Sequence, residues 1–290
     1  MADPSYRGLW AAVVGGLIAC LVGCATMTTG PNAVGPPPGG APAAPVRVLQ
    51  LNLCDSGIAG CYTGRSTAEA AAVIHAERPD LVTLNEVCED DVAALQRALA
   101  GVAPGGAAES AFQAARDRRT GDAWRCRNGR QYGIGIVSRW PSVPGSSAGN
   151  GIYPVQDTED PEERVWLCLD VASTPAVTVC TTHLAHHNRD VAAAQCRYLF
   201  GTVIADIRHA RHEPAPVVLG GDLNLGSGDS PDLKACLPAG SALVDDGGEQ
   251  HVVATPEYVV ASSRTIDLRG TTDHPGLLVT LAPRTGRGTP

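Results

Sequence analysis

The 290-residue chain is poor in lysine, in aromatic side chains and in long apolar runs. Its one lysine is Lys234, so nearly all of its 22 basic side chains are arginine; against 30 Asp and Glu they leave a formal charge of −8. That balance argues against a protein that grips nucleic acid mainly by bulk electrostatic attraction. Aromatic residues make up 4% of the chain, with only two Phe, and no membrane-inserting aromatic hairpin is visible. Beyond residue 24 no apolar run nears the ~18 residues of a spanning helix, so no integral membrane segment is expected there. Charged residues are only 18% and apolar residues 44%, which excludes a disordered chain of low hydrophobicity and high charge. Beyond Cys24 no two cysteines stand at the C-x₂-C spacing of a zinc site.

What is present begins with the front end. Residues 1–24 carry a single positive charge at Arg7, an apolar stretch over 9–22, and the tetrapeptide Leu21-Val22-Gly23-Cys24. A short apolar core ending in small residues reads as an export signal. The tetrapeptide resembles a bacterial lipobox, which implies cleavage before Cys24 and lipidation of its thiol; ordinary secretion with Cys24 incidental is the alternative. Residues 25–45 are rich in Pro, Gly and Ala without periodicity, the composition of a disordered linker. One domain is expected over residues 46–283, about 240 residues and ample for a single α/β core, followed by a flexible tail over 284–290.

Past Cys24 come Cys54, Cys61, Cys88, Cys126, Cys168, Cys180, Cys196 and Cys236. An even number in an exported chain favours disulfides. Residues 165–171 and 177–181 are strand-like runs around the turn Ser173-Thr174-Pro175. Pairing Val171 with Val177 places Cys168 opposite Cys180, which predicts a cross-strand bridge. Pairing of neighbours then gives Cys54–Cys61, Cys88–Cys126 and Cys196–Cys236.

Strand and helix patterns alternate along the domain. Strands are expected over 46–53, 81–87, 132–138, 216–225 and 276–281, besides the hairpin just described. Ser66-Thr67-Ala68-Glu69 has the form of a capping box opening a helix that stops before Pro79. Glu89-Asp90-Asp91 put negative charge at the start of a second helix. A long helix is expected over 189–210, its stripe Cys196, Leu199, Val203 and Ile207 turning Cys196 inward. Such alternation argues an α/β or mixed layered fold.

The informative feature is where polar residues fall. Four apolar runs end in polar groups: Asn52 in LQLN, Asn85-Glu86 in LVTLNE, His183 in VTVCTTH, and Asp222 with Asn224 in VVLGGDLN; Asp273-His274 precede the final strand. Ligands of layered α/β proteins bind beyond strand ends, where backbone pairing stops. Asp222 and Asn224 are two apart and so face the same way in extended backbone. Gly220-Gly221 lets another chain or a ligand come close.

In this order, LQLN, LNEV, YGIGIVSRWP, TTHL, GGDLN and TTDHP resemble the endonuclease/exonuclease/phosphatase superfamily, which includes deoxyribonuclease I and bacterial sphingomyelinases. The resemblance spans Asn52 to Pro275. It implies a four-layer α/β sandwich, with two central mixed or mostly antiparallel sheets between outer helices, and a metal-dependent phosphoester hydrolase site at one end. It implies Glu86 as principal metal ligand, with Asn52 and Asp273 nearby. His274 with Asp222 would activate water, Asn224 would orient the phosphate or that water, and His183 would stabilise phosphoryl oxygens or protonate the leaving group. Carboxylate and amide oxygens select a hard cation, Mg²⁺ first, with Mn²⁺ or Ca²⁺ as alternatives.

One position departs from the pattern. The family carries an Asp about 20–25 residues before its final DH pair, orienting the histidine, and Gln250 stands at the aligned place. A Gln carbonyl can accept an imidazole N–H but does not offset imidazolium charge; either catalysis is slower or a carboxylate such as Glu249 substitutes. Gln250→Asp is then expected to keep or raise activity. Substrate contacts are expected from Asn224, Arg189 and Gln250. Arg116, Arg118, Arg119, Arg125, Arg127 and Arg130 outnumber Asp117 and Asp122, as a phosphate-binding edge or as a solvated loop. His186-His187-Asn188-Arg189 could touch substrate or simply start a helix. The expected molecule is an exported monomeric nuclease or phosphodiesterase, whose partner is a phosphoester such as nucleic acid and which meets the membrane only through its lipid or signal. A phosphatase, a sphingomyelinase-like lipid phosphodiesterase and a catalytically decayed surface binding protein are the alternatives.

Overall fold

The computed structural model describes residues 44–145, 149–210 and 215–284. The expectations for the export signal, for Cys24, and for nearly all of the linker and tail lie outside the described residues. In chain order the elements are β1 (Val46–Asn52), α1 (Ser66–Glu77), β2 (Leu81–Cys88), α2 (Glu89–Ala100), β3 (Glu109–Ala114), β4 (Arg116–Asp117), β5 (Tyr132–Ser138), β6 (Asn150–Ile152) and β7 (Glu162–Glu163). They continue with β8 (Val165–Val171), β9 (Val177–His183), α3 (Arg189–Tyr198), a π-helical turn (Leu199–Ile204), α4 (Ala205–His209), β10 (Val217–Asp222), β11 (Ala242–Asp245), β12 (Gln250–Ala254), β13 (Tyr258–Ile266) and β14 (Gly276–Pro283).

Two six-stranded sheets form the centre, in the orders β13-β14-β1-β2-β5-β3 and β11-β12-β10-β9-β8-β6. They follow one plan: each has a single parallel pair, β1 with β2 and β9 with β10, and every other pairing is antiparallel. The helices lie outside. Leu49, Leu51, Val82 and Leu84 pack against Val73 and Ile74 of α1 and Val92 and Leu95 of α2. Val217 and Leu219 pack against the stripe Cys196, Leu199, Val203 and Ile207. Between the sheets Val48, Leu81, Ile136, Val179, Val218, Val252 and Val279 form a third apolar layer. This is the four-layer α/β sandwich.

Strand alternation explains how one such layer ends in a polar site. Residues two apart share a face, so the intersheet face of β1 runs Val46, Val48, Gln50, Asn52. That of β2 runs Leu81, Thr83, Asn85; that of β9 Val177, Val179, Thr181, His183; and that of β10 Val218, Gly220, Asp222. Each begins apolar and turns polar at the strand's C-terminal end. β12 runs antiparallel to β10 and reads the other way, Gln250 opposite Asp222 and then Val252 and Ala254. Gln50, Asn52, Thr83, Asn85, Thr181 and Gln250 are all fully buried, so their polar atoms must bond one another.

Two local expectations are corrected. Ser66 begins α1 but caps nothing: Arg65 holds the cap position without a side-chain hydrogen bond, while Thr67 Oγ1 donates to Asp55 and Glu69 pairs with Arg269. The capping-box residues are thus used to tie the helix to its surroundings. The long helix after Arg189 is broken in type, not in course, by its π turn. All four expected cysteine pairs are joined: Cys54–Cys61, Cys88–Cys126, Cys168–Cys180 and Cys196–Cys236. Cys168 stands opposite Cys180 in the ladder that pairs Val171 with Val177. These pairs fit an oxidising compartment.

Candidate active site

A cleft of about 470 Å³ opens where the two parallel strand pairs end, and Glu86, His183, Asp222, Asn224, Asp273 and His274 all line it. Glu86 gets there through a bulge. The β2–β5 register slips between Leu84 and Val87, and Glu86 takes φ +53°, a left-handed conformation that non-glycine residues seldom adopt. Asn224 has φ +49°; its amide donates to the Leu184 carbonyl at 2.9 Å and its backbone N–H to Asp222 Oδ1 at 3.3 Å.

Beneath the cleft lies a hydrogen-bonded bundle joining the sheets. Gln50 Nε2 donates to Asn85 Oδ1 at 2.6 Å and to Gln250 Oε1 at 2.9 Å. Asn85 Nδ2 donates to the Thr182 carbonyl at 2.9 Å, and Asn85 Oδ1 accepts the Asp222 backbone N–H at 2.8 Å. Gln250 Nε2 and Asn52 Nδ2 both donate to Asp222 Oδ2, at 2.8 and 3.0 Å. Asp222 is therefore a fixed carboxylate at the floor, with His274 Nε2 3.7 Å and His183 Nε2 4.0 Å from its Oδ2. Burial pushes its carboxyl up to about 6, with the Asn52 hydrogen bond and His274 opposing and Glu249 and Glu86 adding to the rise. Burial, then the charge of Arg164 and the neighbouring His274 and His186, hold His183 well below the usual histidine range. It is a neutral imidazole at pH 7.

The structure uses three sequence-assigned residues differently. Asn52 does not offer oxygen to the cleft: its Oδ1 accepts the Cys54 N–H at 3.1 Å, while its Nδ2 bridges Asp222 and Glu86, the latter at 2.9 Å. It positions two carboxylates instead of ligating with them. Gln250 is 0% exposed, its amide spent on Asp222 and Gln50, and it is neither a substrate contact nor a partner of His274. Arg189 pairs with Asp229 at 2.8 Å and lines a separate depression of about 290 Å³ that shares Glu249 with the cleft. Asn188 caps α3 through its side chain, so His186-His187-Asn188-Arg189 is a helix start, although His186 also reaches the cleft wall.

Several wall residues carried no signal in a single sequence. Arg164, 5% exposed, pairs with Asp160 at 2.9 Å and Glu162 at 3.3 Å on the cleft wall. Burial opposes its charge, but Glu162, Tyr132 and Asp160 outweigh burial, and the guanidinium stays charged. Burial pushes Glu162 up to about 7 against the pull of Arg164. The arginines of the 116–130 segment are not on that wall: Arg116 and Arg125 hold local carbonyls, Arg118 holds the carbonyls of Thr158 and Asp160, and Arg119 holds Asp117.

The donor chemistry fits a hard cation. Six carboxylates line the cleft, those of Glu86, Asp160, Glu162, Asp222, Glu249 and Asp273, against Arg164 alone among strong bases. An anionic phosphoester entering this wall meets repulsion unless a divalent ion comes with it. Among these carboxylates Glu86 is held by Asn52 and paired with no cation among the described residues, and Asp273 is 54% exposed at the rim.

A family model described as the endonuclease/exonuclease/phosphatase family matches residues 54–275. Solved structures of similar fold include an endonuclease/exonuclease/phosphatase from Beutenbergia cavernae, 22% identical with a TM-score of 0.58, the match covering 82% of this chain and 72% of that one. TDP2 of D. rerio complexed with a single-strand DNA product is 17% identical with a TM-score of 0.57, over 82% of this chain and 99% of that one. The mannosyl-6-phosphatase Bt3783 of Bacteroides thetaiotaomicron is 13% identical with a TM-score of 0.56, over 82% and 99%. A comparison with curated proteins gives no match.

Proposed function

The chain belongs to the endonuclease/exonuclease/phosphatase family, a family of phosphoester hydrolases, and from that premise we propose that it is an exported, Mg²⁺-dependent phosphodiesterase acting on nucleic acid. The observation that carries the reading is the cluster around Asp222: two imidazoles within 4.0 Å of one fixed carboxylate oxygen, beside a Glu86 that pairs with no cation among the described residues.

In this reading Glu86 and Asp273 hold Mg²⁺, which supplies charge to polarise the phosphoryl group. Asp222 and His274 take the proton of the attacking water, and Asn224 holds that water or a phosphoryl oxygen in place. His183, neutral by burial, donates an N–H to a phosphoryl oxygen. That fits its low proton affinity better than a resting role as a protonated acid. Arg164 on the wall adds the one fixed positive charge. A diester of nucleic acid is favoured because a similar structure, TDP2 of D. rerio, is known with single-strand DNA product; Ile58 and Trp124 also line an adjoining depression, where Arg125 stands with Asp117 and Asp122. Export and lipidation of Cys24 rest on the leader sequence, and the four cysteine pairs support export alone. Among the described residues no helix is long and apolar enough to cross a membrane.

The test is hydrolysis by the oxidised protein with Mg²⁺, offered DNA, RNA, phosphorylated inositols and sphingomyelin in parallel. DNA or RNA cleavage abolished by EDTA and lowered about 100-fold or more by His183→Ala is expected. Turnover equal in that variant sinks the reading, and preference for an inositol phosphate or sphingomyelin moves the substrate.

A further inference from the structure

We infer that Gln50 is a positioning residue for Asp222, acting through Gln250: it sets the direction in which the Gln250 amide faces that carboxylate. The inference rests on the hydrolase reading above and names a part of that site. Four residues, two from each sheet, close a ring of hydrogen bonds that leaves Asp222 by its backbone and returns to its side chain. The Asp222 N–H donates to Asn85 Oδ1 at 2.8 Å. Gln50 Nε2 donates to the same oxygen at 2.6 Å and to Gln250 Oε1 at 2.9 Å. Gln250 Nε2 then donates to Asp222 Oδ2 at 2.8 Å. None of the four is more than 1% exposed, so each amide has to find its partners within the bundle.

The two ends of a side-chain amide are alike in size and opposite in hydrogen-bonding sense, so its neighbours decide which way it points. Here the decision starts at the backbone, where an N–H can only donate and a carbonyl only accept. The Asp222 N–H requires an oxygen from Asn85, and the Thr182 carbonyl, accepting Asn85 Nδ2 at 2.9 Å, requires the nitrogen at the other end. Facing that oxygen, Gln50 must present its nitrogen, and its own oxygen accepts from Thr83 Oγ1 at 2.5 Å. The second N–H of Gln50 takes Gln250 Oε1, which leaves Gln250 only its nitrogen for Asp222. With Gln50 removed, the Gln250 amide is free to turn its oxygen toward the carboxylate. A donor on Oδ2 holds the carboxylate and favours its ionised form, whereas an oxygen there repels it. The other donor, Asn52, is directed independently by the Cys54 N–H. Gln50 itself is not among the residues lining the cleft, so its effect on Asp222 passes through Gln250.

The experiment compares the full-length oxidised protein with Gln50→Met, Gln250→Met and the double variant, using bis(p-nitrophenyl) phosphate with Mg²⁺. Methionine keeps the length of the side chain and removes both ends of the amide. Each single variant is expected to lower kcat about tenfold with KM within about twofold. The double variant is expected to lose no more than about twofold beyond Gln250→Met, because Gln50 acts only through that amide. An unchanged kcat in Gln50→Met, or losses that multiply to about 100-fold in the double variant, overturns the inference. A second measurement needs neither a variant nor turnover: NMR coupling through the hydrogen bond, in protein labelled with nitrogen-15 and carbon-13. Coupling is expected from the Gln50 side-chain nitrogen to the Gln250 side-chain carbonyl carbon, and coupling in the reverse direction overturns the inference even if no variant folds. A parent protein that fails to hydrolyse the diester refutes the hydrolase reading and still leaves the direction of the amides to be read.

Discussion

At the scale of single residues, the site is organised around one carboxylate oxygen. Asp222 Oδ2 accepts from an amide of each sheet, Asn52 on β1 and Gln250 on β12, and the imidazoles stand around it. Gln250 is a donor here, which reverses the expectation for its replacement. Gln250→Asp removes a hydrogen bond to Asp222 and puts a second anion against it in a fully buried place. Leaving buried groups unpaired costs about 1–3 kcal/mol, so the variant is expected to lose stability in that range and at least about tenfold in kcat. Chemical denaturation and steady-state kinetics on the same preparation check it; wild-type activity would show that the amide's donor role is dispensable.

At the scale of elements, the two sheets can come together at their polar ends only because β10 carries Gly220. A Cβ on Gly220 would fall 2.0 Å from Thr83 Oγ1 and 3.0 Å from Gln50 Oε1, so β2 and β1 side chains from the other sheet occupy that volume. The close approach foreseen from the double glycine is thus made by the chain itself. Gly221 is constrained differently, by the Thr182 carbonyl 2.5 Å away in its own sheet. Overpacking typically costs about 1–3 kcal/mol, and Gly220→Ala is expected at the upper end because its neighbours are themselves hydrogen-bonded. Denaturant midpoints with the disulfides intact measure the loss; a shift below about 0.5 kcal/mol would mean that the intersheet bundle is slack.

At the scale of the whole molecule, the crowding of acids at one end couples stability to pH and to cations. Burial first of all raises Asp222 from 3.8 to about 6 and Glu162 from 4.5 to about 7. Between pH 4 and 7 the folded chain therefore binds more protons at these groups than the unfolded one, and their contribution to stability falls as pH rises through that window. His183, lowered by burial, works the opposite way below its ordinary value of 6.5. Under the proposed reading, Mg²⁺ held in the cleft would offset the repulsion that ionisation creates. It is expected to raise the melting temperature by about 3–5 °C at pH 7.5 and by about 1 °C or less at pH 5. Calorimetry at the two pH values decides; an equal shift at both would place the ion away from these carboxylates.

Much of this was legible in sequence because it is local and periodic. Alternation located β1, β2, β5, β9 and β10, and the polar residues terminating them marked the end where chemistry would lie. One hairpin register sufficed to place Cys168 against Cys180. The strands β3, β6, β11 and β13 left no such mark, since they are short or exposed and lack a buried face. The sequence by itself determined the layers, the family and the principal acidic and imidazole groups, because each follows from the order of residues along a strand. Tertiary structure decided which way the amides of Asn52 and Gln250 point, and that Arg164 and Glu162 form the wall while Arg189 does not. Those are matters of which partner lies across a gap between strands far apart in the chain, and periodicity along one strand carries no information about the strand facing it.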